Sequence, residues 1–380
     1  MNHTEPKVSV TIDLLADGKH HGHLIIPHSR NESGWGAVHL PIVSIRNGAG
    51  KTMLLTGGNH GDEYEGPIAL MKLARTLKSG GIRGQVIIIP ALNFPAVLTG
   101  SRLSPIDGVN MNRAFPGRRD GSVSLMIAHF VHHKILPLAD VVLDIHSGGK
   151  TMMFSPFACY HRIPDAEVME RAKQAMLAFG APISLELVEL DAEGMLDTEV
   201  EEMGKIFVGC ELGGGGTSTP ETVMITEIGV RNLLAHFEII DEKPLSCEDR
   251  GLSPTRLMHM PDLDCYLISN DAGIYETLID LDGPVKKGDA VGQVHFPEKL
   301  ELQPVVYFAG RDGTLIGRTH KVLVGIGDFL GMIATEMWSS DVVFCVLSKF
   351  LNNLIKIMQT CFCQQSGTNV ELSKPCRKQR

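Results

Sequence analysis

The chain has 380 residues, 43% of them hydrophobic, with 35 Lys and Arg against 44 Asp and Glu for a net charge of −9. That length suits one large domain with a smaller companion, and the apolar fraction supports a packed core and excludes general disorder. The acids are spread along the chain, so no basic face is offered to nucleic acid or anionic lipid.

Eight cysteines in so long a chain do not read as a small secreted disulfide framework and are expected to be reduced and mostly buried. Met1 to Pro6 holds no charged leader before an apolar core, which points to a cytoplasmic enzyme. The negative charge is compatible with a homo-oligomer.

Short β-branched runs alternating with helical patterns predict an α/β fold, a mostly parallel sheet with helices on both faces. Lys51 to Thr56 reads as a strand, and Tyr64 to Lys78 as a helix with Leu70, Leu73, Ala74 and Leu77 on one face. Val86 to Pro90 is the next strand, Val123 to Leu136 a helix, and Val141 to His146 a strand running into Ser147-Gly148-Gly149. A helix over roughly Asp165 to Phe179 precedes the strand Ile206 to Glu211, which again ends in glycines.

Beyond about Pro244 the pattern changes to short strands and turns, so the expected division is 1–243, a C-terminal β domain over 244–337, and an atypical segment 338–380. Val285 to Gly292 and Val324 to Gly331 echo each other around Gly-Asp, as lipoyl-type β modules do; turn chemistry accounts for the echo, and no carrier function is assigned. In the last segment Val343, Leu347, Phe350, Leu354 and Ile357 form one helical stripe opposite Lys349, Asn352, Asn353 and Lys356. This predicts an amphipathic helix that is too polar to span a membrane, followed by a tail. Cys361-Phe362-Cys363 is a weak metal motif, because structural zinc sites space paired cysteines more widely.

The chemistry gathers at strand ends. In Gly57-Gly58-Asn59-His60-Gly61-Asp62-Glu63 an imidazole and a carboxylate stand three residues apart, a ligand pair that a catalytic zinc accepts and that calls for a third. Ligands of open α/β sheets bind outside the carboxyl ends of the strands, so His60, His146 and Glu211 are expected to converge there. Flanking glycines would let backbone approach a ligand closely. Asp144 shares a strand face with His146 and is a candidate acceptor to fix its ring, with a locally paired buried carboxylate as the bland alternative. Arg102 and the stretch Asn110 to Arg119 concentrate guanidinium groups suited to a carboxylate-bearing ligand, against the alternative of a solvated basic loop.

Together with Asn-Arg-Ala-Phe-Pro-Gly at 112–117, Asp-Ile-His-Ser-Gly-Gly at 144–149 and Glu-Leu-Gly-Gly-Gly-Gly at 211–216, the motif at 57–63 resembles the succinylglutamate desuccinylase and aspartoacylase family of the zinc carboxypeptidase fold group. The resemblance covers roughly residues 8–336. It implies one zinc per chain held by His60, Glu63 and His146, with Glu211 as general base. It also implies Arg102 near the scissile carbonyl and Asn112 with Arg113 on the substrate carboxylate. The reaction implied is hydrolysis of a small N-acyl amino acid. Tyr64-Glu65-Gly66-Pro67, Ser104-Pro105-Ile106-Asp107 and Ser147 to Thr151 look most like the subgroup that deacetylates N-alpha-acetyl-L-2,4-diaminobutyrate in ectoine breakdown. Aspartoacylase, desuccinylase and carboxypeptidase activities on the same scaffold are the alternatives, and a metal-free binding protein is the alternative of another class. A side-chain ammonium would call for a carboxylate in the pocket; Glu189, Asp191, Glu193, Asp197, Glu199, Glu201 and Glu202 crowd one segment, and sequence does not choose among them.

Overall fold

The structure, a computed structural model, describes residues 5–188 and 193–337. Strand β1 (Ser9–Val10) and the hairpin of β2 (Gly18–Pro27) and β3 (Ala37–Asn47) come first. They precede β4 (Thr52–Gly57), α1 (Glu65–Thr76), β5 (Gly84–Ile89), α2 (Phe94–Thr99), α3 (Val123–Phe130) and β6 (Val141–His146). Then come β7 (Met152–Phe154), β8 (Phe157–His161), α4 (Ala166–Phe179), β9 (Ile183–Leu187), α5 (Leu196–Glu202), β10 (Ile206–Glu211) and α6 (Pro220–His236). The strands after α6 are β11 (Arg256–Met260), β12 (Tyr266–Ile268), β13 (Gly273–Thr277), β14 (Pro284–Val285) and β15 (Ala290–His295). The last four are β16 (Val305–Phe308), β17 (Gly313–Thr319), β18 (Leu323–Val324) and β19 (Phe329–Glu336).

One mixed sheet runs β1-β2-β3-β5-β4-β6-β10-β8-β9-β11-β19-β17-β14, with β12 on β19 and β7 on β17. Its centre is parallel: Leu55 of β4 and Val208 of β10 both stand opposite Leu143 of β6. These strands are buried on both faces, which is why they read as unbroken apolar runs rather than alternating ones. On one face Leu55, Leu143 and Val208 pack against Leu70, Phe179 and Leu233 of α1, α4 and α6. On the other, Leu54 and Val142 pack against Ile127 of α3 and Val200 of α5. On one side β3 pairs antiparallel with β5; on the other β8 pairs antiparallel with β10, and β9 follows parallel to β8.

The expected helix from Val123 ends as an α-helix at Phe130, continues as a wide π turn over Val131–Ile135 and closes in a 3₁₀ turn over Leu136–Leu138. Pro137 explains the change: it has no N–H to give, and its ring would clash with the His133 carbonyl in a continued α-helix.

After α6, β11 adds parallel to β9 and antiparallel to β19, and a second sheet is ordered β16-β15-β13-β18. The two Gly-Asp echoes are built alike. Asp289 Oδ2 accepts from the Lys286 N–H at 2.8 Å and Asp328 Oδ2 from the Gly325 N–H at 2.9 Å, each spanning one turn. Among the described residues Cys159, Cys210, Cys247 and Cys265 are buried and none forms a disulfide. Among the described residues no helix is long and apolar enough to cross a membrane. The amphipathic helix expected after Trp338 and the motif at Cys361 lie outside the described residues.

Candidate metal centre and substrate cavity

β4, β6 and β10 are adjacent and parallel, so their carboxyl ends share one edge. Glu211 stands opposite His146, and Gly57, just ahead of the His60 loop, stands opposite Ile145. The loop after β4 is tight. A Cβ at Gly61 would come within 2.0 Å of the Ala96 carbonyl carbon, so glycine there lets the loop lie directly on α2. Gly214 likewise lets its loop meet the Met152 carbonyl, where a Cβ would stand 2.2 Å from the oxygen. At these two positions glycine seats a loop on a neighbouring helix or strand, rather than bringing backbone to a ligand as the sequence suggested.

His60, Glu63 and His146 converge, with one ligand atom from each lying within 4.8 Å of the others. His60 Nδ1 is 2.7 Å from Glu63 Oε1, and His146 Nδ1 is 2.9 Å from Glu63 Oε2. The outer nitrogens are engaged by acceptors: His60 Nε2 lies 3.0 Å from Asn110 Oδ1, and His146 Nε2 lies 2.8 Å from Asp144 Oδ2. Asp144 is itself fixed by Thr56 Oγ1 at 2.6 Å and Asn59 Nδ2 at 2.9 Å. With both Nε2 atoms donating, the tautomer that results turns each Nδ1 lone pair toward Glu63. Two imidazole Nδ1 atoms and a carboxylate then face one another in a buried space, where either protons on the rings or a shared cation satisfies them. The nitrogen and oxygen donors suit zinc, so the residues fit that ion.

The electrostatics follow from this crowding. Burial raises the Glu63 carboxyl, but the charges of His60 and His146 outweigh it and hold the group well below the usual range. Burial works against a charged His146, yet Asp144 and then Glu63 raise it well above the ordinary value. Glu211 goes the other way: burial, then the neighbouring Glu63 charge, push it up to about 8, with His146 and Arg102 opposing.

A cavity of about 400 Å³ opens from this centre, lined by His60, Arg102, Asn112, Arg113, His146 and Glu211 among others. Arg102 Nη1 lies 3.5 Å from Glu63 Oε1. Asn112 is buried, its Oδ1 accepting from Asn59 Nδ2 and the Leu196 N–H, both at 3.2 Å, so its amide NH₂ is the end suited to a ligand carboxylate. Arg113 Nη1 donates to the Asn112 carbonyl at 2.7 Å. Arg119 turns aside to Asp120, and neither it nor Arg118 lines the cavity. The far wall comes from the C-terminal strands, through Tyr266 of β12 with Phe329 and Met332 of β19.

Sequence reasoning gave no role to Asn110, which touches His60 directly, or to Asn59 and Thr56, which fix Asp144 against His146. Asn59 and Asn110 sit inside motifs already singled out, so proximity to the ligands was the available signal.

An α/β sheet that gathers two imidazoles, two carboxylates and a guanidinium at its strand ends has the makings of a metal-dependent hydrolase. A profile of the succinylglutamate desuccinylase/aspartoacylase catalytic domain matches residues 49–237. An N-alpha-acetyl-L-2,4-diaminobutyric acid deacetylase of Halomonas elongata is 47% identical over 327 residues, 86% of this chain and 94% of the relative. Among solved structures, the product-bound ectoine utilization protein EutE (DoeB) from Ruegeria pomeroyi superposes with a TM-score of 0.83 at 46% identity, covering 87% of this chain and 99% of that one. A succinylglutamate desuccinylase from Silicibacter sp. TM1040 gives 0.83 at 47% identity, over 88% and 99%. The chain belongs to the succinylglutamate desuccinylase/aspartoacylase family, and it is a hydrolase of the N-acyl amino acid deacylase class.

Proposed function

We propose that the protein hydrolyses N-alpha-acetyl-L-2,4-diaminobutyrate to L-2,4-diaminobutyrate and acetate, with one zinc held by His60, Glu63 and His146. The observation that carries the chemistry is the convergence of three ligand atoms beside Glu211, which stands opposite His146 on the next strand. The 47% identity over most of both chains supports the substrate. The free, buried cysteines suit the reducing cytoplasm proposed for it.

When bound, zinc supplies Lewis acidity that polarises the acyl carbonyl and acidifies water. Glu211, opposite His146 on the next strand, takes a proton from the attacking water and passes it to the departing nitrogen. The water oxygen joins the acyl carbon, the C–N bond breaks, and acetate and the free amine result. Arg102 faces the carbonyl oxygen as it gains charge, where a preorganised donor counts most. Asn112 and Arg113 hold the α-carboxylate, the guanidinium matching its geometry. Closure of the far wall by Tyr266, Phe329 and Met332 favours a compact acylated amino acid over an extended peptide.

The test is turnover by the zinc-loaded protein of N-alpha-acetyl-L-2,4-diaminobutyrate, N-acetyl-aspartate, N-succinyl-glutamate and short peptides. The first should exceed the others in kcat/KM by about 100-fold or more. Comparable peptide turnover would sink the deacylase reading, and preference for N-acetyl-aspartate or N-succinyl-glutamate would replace the acyl amino acid named.

A further inference from the structure

The acidic segment before β10 resolves into separate jobs. Glu199 Oε2 lies 3.0 Å from His132 Nδ1, Glu201 Oε1 lies 3.0 Å from His161 Nδ1, and Glu193 and Glu202 are exposed. Asp197 differs from all of these. It is 7% exposed and lines the cavity that holds His60, His146 and Glu211, and Glu211 is the only other carboxylate among the described residues of that lining. Its placement is fixed from both sides. The preceding residue, Leu196, donates its N–H to Asn112 Oδ1 at 3.2 Å, and Asp197 Oδ1 accepts from the Thr198 N–H at 2.6 Å and Thr198 Oγ1 at 3.2 Å.

We propose that Asp197 is the residue that selects a cationic amino-acid side chain. The inference rests on the proposed function and names what reads the side-chain ammonium, the part of the substrate that sets it apart from the polyanionic N-acetyl-aspartate and N-succinyl-glutamate. The charges of the cavity match a zwitterion-like ligand: guanidinium groups at Arg102 and Arg113 for a carboxylate and an oxyanion, and one buried carboxylate for an ammonium group. Much of the remaining wall is apolar, including Met152, Phe154, Phe157 and Phe207. In such a wall an ammonium with no partner is strongly disfavoured, while one that meets a fixed carboxylate is charge-assisted and specific. A substrate with a second carboxylate would meet Asp197 as a like charge. The tie from Leu196 to Asn112 sets the distance between the two subsites, so side-chain length is read together with charge.

The measurement is the ratio of kcat/KM for N-alpha-acetyl-L-2,4-diaminobutyrate to that for N-acetyl-L-2-aminobutyrate, which lacks only the amine. Asp197→Asn should lower this ratio by about 100-fold, and Asp197→Glu, which keeps the charge, should retain most of it. A ratio left intact by Asp197→Asn, including one in which both rates fall together because Asp197 only holds a neighbouring side chain in place, overturns the proposal. Should that variant not fold, calorimetry on the wild-type protein still decides. L-2,4-diaminobutyrate should bind at least about tenfold tighter than L-2-aminobutyrate, and equal affinity overturns the proposal. Failure of the wild-type enzyme to turn over the diaminobutyrate substrate would instead sink the proposed function, so the two failures are told apart.

Discussion

Asp144 and His146, two residues apart on β6, meet through Oδ2 and Nε2 at 2.8 Å. Alternation along a strand puts both side chains on one face, and the contact leaves Nδ1 as the nitrogen turned toward Glu63. The two readings of Asp144, a paired buried carboxylate and an acceptor that fixes the ring, are met by the same geometry: its bonds from Thr56 and Asn59 hold it against His146.

Asp144→Ala should weaken zinc binding by roughly 10–100-fold, the effect of removing an acceptor behind a ligating histidine. Competition with a chromogenic chelator measures it. An unchanged affinity would mean that packing alone orients His146.

Glu211→Gln keeps the shape of the side chain and removes its proton affinity. Zinc should remain bound in metal analysis, while kcat falls by about 10²–10⁴-fold. Retained hydrolysis would rule out Glu211 as the base.

Asp107 tests the support of the loop that carries Arg102 and Asn112. Its Oδ2 accepts from the Ser124 N–H at 2.8 Å and its Oδ1 from Ser124 Oγ at 2.9 Å, so the carboxylate caps the first turn of α3. Burial raises this carboxyl, but the hydrogen bonds around it, led by that from the Ser124 N–H, outweigh it and hold it below the ordinary aspartate value. A depressed carboxyl binds fewer protons folded than unfolded, so its contribution is present above the unfolded value and is lost as pH falls through the folded one. Asp107→Ala should cost about 1 kcal/mol near neutral pH, as loss of a helix cap does. The difference from wild type in urea unfolding should stay level down to about pH 4 and shrink below it. A difference that grows on acidification would show the opposite shift.

How far the sequence could be read depends on the physical range of each signal. β6 and β10 fall where unbroken apolar runs stop at His146 and Glu211, because both faces of those strands are buried. The start of α4 is equally local, since Asp165 Oδ1 accepts from the Glu167 and Val168 N–H groups. α6 went unread although it opens with a capping box, Thr219 to Thr222, around Pro220; the run of glycines and hydroxyls before it has the composition of a loop. The convergence of His60, Glu63 and His146 was legible because each ends or follows a strand. The role of Asn110 was not, because it depends on a loop folding back to meet His60, fifty positions earlier in the chain. Asp197 was hidden among its acidic neighbours. Only the point at which α5 begins decides which carboxylate turns inward, and that point is set by a bond to Asn112 far away in sequence.

The parallel seating of β11 on β9, with Arg256 opposite Ile183 and Met260 opposite Leu187, has a consequence for the protein's solubility. Without it β9, whose Ile183 and Leu185 are buried, would end the sheet with a bare row of N–H and C=O groups beside apolar side chains. Such an edge templates pairing with other chains. The strands beyond α6 thus guard the hydrolase against self-association at the same time as they wall its cavity, so a chain cut short after α6 would be exposed to aggregation before its chemistry could be measured.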